Sequence, residues 1–219
     1  MDNLSPTFDR LAETSSIVSP KLNVVYNMNN SVQLFAKSGI GFHSNDSRVV
    51  LDQQGRSALP PAIGFDFGTV LKPTPRLFTN FALWYLFLEQ EFVYVGDEGI
   101  VEPSGRTRRI GFDLGLRYQL TDWLFASADY NYAKPRSIDD PEGENLIPLA
   151  PTSTATAGLN INKDDLTVNL QTRYIDDRAA NEDNSIVAEG YVITDLNATY
   201  SFDEISIGVS IENLFDQEW

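Results

Sequence analysis

The chain has 219 residues, no cysteine, one histidine and a formal net charge of −15. That balance excludes disulfides, thiolate metal sites and Cys nucleophiles, and it argues against a nucleic-acid partner, whose phosphates demand clustered Lys and Arg. Hydrophobic residues make up 42%, yet the longest apolar run, Phe81 to Leu88, is far shorter than the roughly 20 residues of a membrane-spanning helix. No basic start followed by an apolar core and a small-residue cleavage site is visible, so a leader peptide, if the protein is exported, is expected outside these residues.

Alternation of apolar and polar residues predicts about ten strands in chain order, near 17–28, 31–42, 60–71, 77–95, 107–120, 123–133, 151–162, 165–177, 189–202 and 204–213. The fifth sets Ile110, Phe112, Leu114, Leu116 and Tyr118 against Arg109, Gly111, Asp113, Gly115 and Arg117. The eighth sets Leu166, Val168, Leu170, Thr172 and Tyr174 against Thr167, Asn169, Gln171 and Arg173. A period of two places such sets on opposite faces of a sheet, and helical spacing fits neither.

The connections alternate between short polar turns and long acidic loops. Asn29 and Asn30, Lys72 to Arg76, Thr121 and Asp122, Lys163 and Asp164, and Asp203 form the short set. The long set is His43 to Leu59, Gly96 to Arg106, Lys134 to Ala150 and Arg178 to Ala188. An antiparallel up-and-down meander sorted in this way is the layout of a transmembrane β-barrel, with short turns inside and long loops outside. The strands are long enough, since about nine to eleven tilted residues cross a bilayer. Aromatics gather toward strand ends, at Trp123, Tyr130, Tyr132, Tyr174, Phe92 and Tyr94, where amphipathic rings suit the interface. A soluble all-β sheet would have to bury the apolar faces against a second layer.

Five stretches then carry a resemblance. The terminal ENLFDQEW is similar to the Asn-Leu-Phe-Asp signature of TonB-dependent outer-membrane receptors, with Asn213, Leu214, Phe215 and Asp216 as the motif. SPKLNVVYNMNNSVQLFAKSGIGFHSND (19–46), YVGDEGIVEPSGRTRRIGFDLGLRYQLTDWLFASADY (94–130), IPLAPTSTATAGLN (147–160) and GYVITDLNATYSF (190–202) resemble further landmarks of that family in the same order. The resemblance implies roughly 22 strands around a plugged lumen, of which residues 1–219 would be a C-terminal portion of the barrel, without the plug domain and the final strand. An open sheet of this kind has unpaired edges, which lipid does not tolerate.

What the resemblance implies for function is reception and active transport of a scarce nutrient, most often a ferric siderophore, across the outer membrane of a Gram-negative bacterium. The implied partners are the TonB complex, acting through the plug, outer-membrane lipid and lipopolysaccharide, and a small-molecule or metal-chelate cargo. No catalytic residue, resident metal or cofactor is expected. A passive porin and an outer-membrane β-barrel enzyme are the alternatives, the second with only His43 to serve as a base.

Among candidate sites, Asn213 to Asp216 read as a structural turn at the membrane interface. His43, Arg106, Arg108 and Arg109 are candidate ligand contacts on the outer loops. The arginines could meet an anionic chelate, neighbouring acids or lipopolysaccharide phosphates. Asp139, Asp140, Glu142 and Glu144, with Asp176, Asp177, Glu182 and Asp183, offer oxygen ligands but no EF-hand spacing, and read as solvated loop acids. Gln33, Glu89, Glu91, Asp113, Arg117, Asp129, Asn169, Gln171, Arg173, Asp195, Asn197 and Glu212 are expected on the lumen face. In the same parity Tyr85 and Phe87 would put aromatics there too.

Overall fold

The computed structural model describes residues 16–42, 59–95 and 100–218, with side chains described outside 91–104. His43, most of the loop that follows it, and the side chains of Glu91, Phe92 and Tyr94 therefore lie outside the described residues. Twelve strands are described: β1 Lys21–Asn27, β2 Val32–Phe42, β3 Pro61–Thr74, β4 Leu77–Val95, β5 Ile100–Gln119, β6 Leu124–Ser137, β7 Ser153–Lys163, β8 Leu166–Ile175, β9 Arg178–Ala179, β10 Val187–Ala188, β11 Tyr191–Phe202 and β12 Ile205–Ile211. Ten of them form one antiparallel sheet in the order β1-β2-β3-β4-β5-β6-β7-β8-β11-β12, while β9 and β10 make a separate hairpin. The all-β meander is thus as the alternation predicts.

Local chemistry closes the turns at one end of the sheet. Asp164 and Asp203 take positive φ of 52° and 42°, a conformation that Asp tolerates better than most residues. Thr121 Oγ1 accepts hydrogen bonds from the Leu124 amide at 3.0 Å and the Trp123 amide at 3.3 Å, and Asn29 Oδ1 accepts one from the Ser31 amide at 2.8 Å. Between neighbouring turns, Arg76 donates to Asp122 at 2.6 Å. Lys163 sits 5.4 Å from the Trp123 ring centre, a basic and aromatic pair suited to a membrane boundary.

At the other end three expectations need correction. β6 runs on to Ser137 and so takes Lys134 to Ser137 out of the expected loop. Gly96 to Arg106 is read from its acids and glycines as a loop, but β4 and β5 run 19 and 20 residues and pair as far as Val95 with Ile100. Backbone pairing outlasts the apolar pattern because a hairpin standing in water has no face that must be greasy. The loop between β8 and β11 likewise contains the β9–β10 hairpin, whose two-residue strands are too short to produce periodicity.

Register carries one face across the whole sheet, since directly opposed residues point the same way. The row Ala36, Phe67, Leu83, Phe112, Tyr132 joins β2 to β6, and the row Leu159, Leu170, Leu196, Ile211 joins β7, β8, β11 and β12. Phe112 stacks with Tyr132 at 5.6 Å and meets Phe81 at 6.0 Å. The same register places Tyr85 opposite Phe65 and Ile110, and Phe87 opposite Ile63. Both aromatics therefore belong to the apolar face, not the lumen face. Counting back from Glu91 misleads because the register shifts between Leu88 and Glu91, and Glu89 lies at that break. The lumen face of β4 instead carries Phe78, opposite Arg117, and Trp84, whose Nε1 donates to Asp113 at 3.0 Å. Trp84 lies over Gly111, where a Cβ would collide with that ring and with the Tyr132 carbonyl.

Little of this surface is buried. Among the described residues the buried apolar side chains are Ile147, Ile193 and two prolines, Pro60 and Pro135, whereas Phe65, Phe67, Leu83 and Ile110 are each more than half exposed. A soluble protein does not leave a continuous apolar sheet face in water. The hydrocarbon of a bilayer is the medium that satisfies it.

Candidate functional site

The face opposite the apolar band is a polar wall. Arg117 Nη2 donates to Asp129 at 2.8 Å, and Thr156 donates to the same carboxylate oxygen at 3.4 Å. Arg173 Nη2 donates to Asp195 at 3.0 Å. Asn131 joins Trp84 on Asp113, at 2.8 Å. Gln33 donates to Asn27 at 2.7 Å, and Ser210 to Asn197 at 2.6 Å. These residues gather on one face because each is one position removed from an apolar partner along its strand. Gln33, Asp113, Arg117, Asp129, Asn169, Gln171, Arg173, Asp195 and Asn197 all share the expected face. A wall of paired charges is wettable without being strongly charged, which suits a lumen filled by water or by polar protein.

The Asn213–Asp216 segment closes the top of β12 onto this wall. The Asn213 amide donates to Asp195 Oδ1 at 3.0 Å, so one carboxylate holds both Arg173 and the motif. The Leu214 amide donates to the Thr194 carbonyl at 2.7 Å, and the Asp216 amide to the Asn213 carbonyl at 2.9 Å. Asn213 Oδ1 accepts the Gln217 amide at 2.9 Å, while its Nδ2 donates to the Gln217 carbonyl at 3.0 Å. Asn213 and Asp216 adopt positive φ of 51° and 52°. Leu214 is half-buried and Phe215 is 73% exposed.

The three candidate arginines do not converge. Arg109 lies on the lumen face, where its Nη1 approaches Thr107 Oγ1 at 3.4 Å. Arg108, opposite Phe87 and Arg136, lies on the apolar face. Arg106 is clasped by Asp139: Nε and Nη2 reach Oδ1 at 3.0 and 2.6 Å, and its amide reaches Oδ2 at 2.8 Å. Gly105 permits this approach, since at φ 73° a Cβ there would stand 2.6 Å from the same carboxylate. The clasp is continued by the Ile138 amide on the Arg106 carbonyl at 2.9 Å. The β6–β7 loop then docks on its neighbour, with the Leu146 amide on the Glu182 carbonyl at 3.1 Å and the Leu149 amide on the Ala179 carbonyl at 2.7 Å. Among the described residues, no cluster of three His or acidic side chains forms a metal-ligand set.

Asp139 is the partner that sequence reasoning missed, because the contact spans loops and leaves no local pattern. Its carboxyl is held below the usual range, first by the Arg106 side chain and then by the Arg106 amide. A depressed carboxyl stabilises above its unfolded pKa, near 4, and that contribution is lost as pH falls through the lower folded value. Asp139→Ala is expected to speed hydrogen exchange of the Arg106 and Ile138 amides at neutral pH by up to about fivefold, the range of an exposed ion pair. The unsubstituted protein should reach the same rates only in acid below that window; equal rates at neutral pH would dissolve the clasp.

A single-layer sheet with one greasy and one wet face defines a membrane β-barrel wall, and the comparisons with known proteins give the wall a family. Residues 2–214 match the TonB dependent receptor-like β-barrel family model, and the chain belongs to that family. It is a family of transport receptors of the Gram-negative outer membrane, which places the chain there. The metal-pseudopaline receptor CntO of Pseudomonas aeruginosa is 26% identical over 96% of this chain and 32% of its own length. Heme/hemopexin utilization protein C of Haemophilus influenzae is 32% identical over 51% of this chain and 16% of its own. Among solved structures, the unliganded ferric citrate transporter FecA superposes with a TM-score of 0.76 at 21% identity, covering 91% of this chain and 33% of that one. The copper transporter OprC follows at 0.73 and 19%, with the same coverage. These structural matches share the fold, and the chain spans about a third of the first relative's length.

Proposed function

We propose that residues 1–219 are a C-terminal portion of the wall of an active-uptake receptor for a metal chelate, with ferric siderophores as the first cargo class to test. In this reading a plug fills the lumen against the polar wall, and TonB supplies the energy that displaces it. The family match over residues 2–214 carries the reading. The paired lumen charges support it, because Arg117 with Asp129 and Arg173 with Asp195 present hydrogen-bonding edges to a polar plug without a net field. Relatives and neighbours named for metal-pseudopaline, heme, ferric citrate and copper favour metal-bearing cargo. Transport of this kind breaks no bond in the cargo, so the chain acts as a receptor and not as an enzyme. Arg109, on the lumen face near the outer mouth, and His43 are the residues proposed to reach an anionic chelate.

Uptake of radioactive iron supplied as defined siderophores tests this in an iron-starved strain lacking the gene. Restoring the gene should restore uptake for one chelate class, and deleting TonB should return it to background. Uptake that survives the TonB deletion would favour the passive porin.

A further inference from the structure

Two outer loops, the β6–β7 connection and the β9–β10 hairpin, are built into each other instead of standing apart in water. The Leu146 amide donates to the Glu182 carbonyl at 3.1 Å, and the Leu149 amide to the Ala179 carbonyl at 2.7 Å. Neither loop is self-sufficient. β9 and β10 have two residues each, and an isolated strand pair is marginal at best in water. The β6–β7 loop carries Leu149 at φ 59°, a left-handed conformation that a bulky side chain keeps only where its surroundings hold it. The hydrogen bond from its amide to Ala179 is such a hold. Ile147, in the same turn, has its carbonyl capped by the Ala150 amide at 3.2 Å and is only 7% exposed although it lies in an outer loop. Loop side chains usually face water, so a buried isoleucine marks a packed junction.

Each loop is also stiffened within itself, so a displacement at the junction is passed on and not absorbed. At the hairpin tip Asn181 Oδ1 accepts the Ile186 amide at 3.1 Å, its Nδ2 donates to Ser185 Oγ at 2.6 Å, and Asp183 accepts the Ser185 amide at 2.9 Å. The β6–β7 loop is anchored at its root by the Ser137 amide on the Asn145 carbonyl at 2.9 Å and by the Asp139 clasp on Arg106. At this height the wall is covered from the lumen side. Thr107 and Ser137 are 0% and 5% exposed and Pro135 is buried, and register sets all three on the lumen face. Lower on that face the Arg117 and Arg173 side chains are 51% and 55% exposed. We infer that the β6–β7 loop and the β9–β10 hairpin form one cap at the edge of the lumen mouth, a single cooperative unit that opens and closes as a whole. Opening of either loop releases Leu149 from its strained conformation and takes the other loop with it. The cap is a property of the loops alone and is independent of which cargo the receptor carries.

Hydrogen exchange of the whole receptor in lipid vesicles reads the coupling in both directions. Ile147→Ser perturbs the β6–β7 loop and is expected to speed exchange of the Ala180 and Ile186 amides in the hairpin by about tenfold, within the range of coupled sites. Those two amides donate only inside the hairpin, so a merely local role for Ile147 would leave them unmoved. Asn181→Ala perturbs the hairpin tip and should speed the Leu146 and Leu149 amides by a similar factor, as linkage requires. The Leu170 amide, midway along β8, should keep its rate in both variants and so report an intact barrel. A change confined to the substituted loop, in either variant, overturns the proposal. If a variant does not fold, the unsubstituted loops answer instead. Residues 1–219 contain no cysteine, so Glu142→Cys with Glu182→Cys places one nitroxide label on each loop. Pulsed electron spin resonance should then give one narrow distance, whereas a broad distribution, the mark of loops that move independently, overturns the cap.

Discussion

Leu170→Arg is expected to destabilise the folded barrel in lipid by about 3 kcal/mol, the cost of a cation on the lipid face at the bilayer midplane. Gln171→Arg, one residue along, should stay within about 0.5 kcal/mol of the unsubstituted protein, as surface changes usually do. Leu170 sits midway along β8 between Leu159 and Leu196, all on the apolar face. Gln171 pairs with Gly158 and Asp195 on the wet face, where an arginine side chain stays in a polar, solvated setting. Chemical unfolding of the receptor in lipid vesicles measures both. Sequence separation, composition and helix or strand propensity are nearly the same at the two sites, so only the assignment of faces separates the outcomes. Equal destabilisation would mean that both faces are buried and that the sheet is covered by a second layer.

The faces were legible in the sequence because a period of two is written residue by residue, and it holds over most of β5, β8 and β11, although in β11 Ile193 falls on the wet face and Thr194 on the greasy one. It failed at Tyr85 and Phe87 because parity was carried back from Glu89 and Glu91 across a register shift, and a shift of one residue exchanges the faces. Loop lengths were legible from turn residues such as Asp164 and Asp203, but the outer hairpin of β4 and β5 was not, since outside the bilayer pairing needs no alternation. The separation of Arg108 from Arg109 could have been read from their adjacency in one strand. The parity of Lys134 and Arg136 with Tyr132 was equally available and was hidden by placing those residues in a loop. By contrast, the grip of Asp139 on Arg106 and of Asp195 on Asn213 joins positions far apart in the chain, and no local spacing announces either.

Asp195→Ala should have the second large effect, about 2 to 3 kcal/mol, because one carboxylate ends two interactions of different kinds. Arg173 is 55% exposed as a side chain, so losing its ion pair costs little on its own, within about 1 kcal/mol in that solvent-screened setting. The Asn213 amide is part-buried, and a backbone donor left without its charged acceptor costs more, roughly 1 to 3 kcal/mol. Asp195→Asn separates the two, since it keeps an acceptor for the Asn213 amide while removing the charge that Arg173 uses. It should cost about 1 kcal/mol. Hydrogen exchange at the Leu214 and Asp216 amides reads the same event locally. Both should lose protection in Asp195→Ala and keep most of it in Asp195→Asn. The motif then acts as a clip that fastens the end of β12 to the lumen wall through β11, and its asparagine matters for the turn it makes more than for anything it could bind. If Leu214 stays protected in Asp195→Ala, the hydrogen bond to the Thr194 carbonyl holds the clip alone, and the polar ladder has no part in closing it.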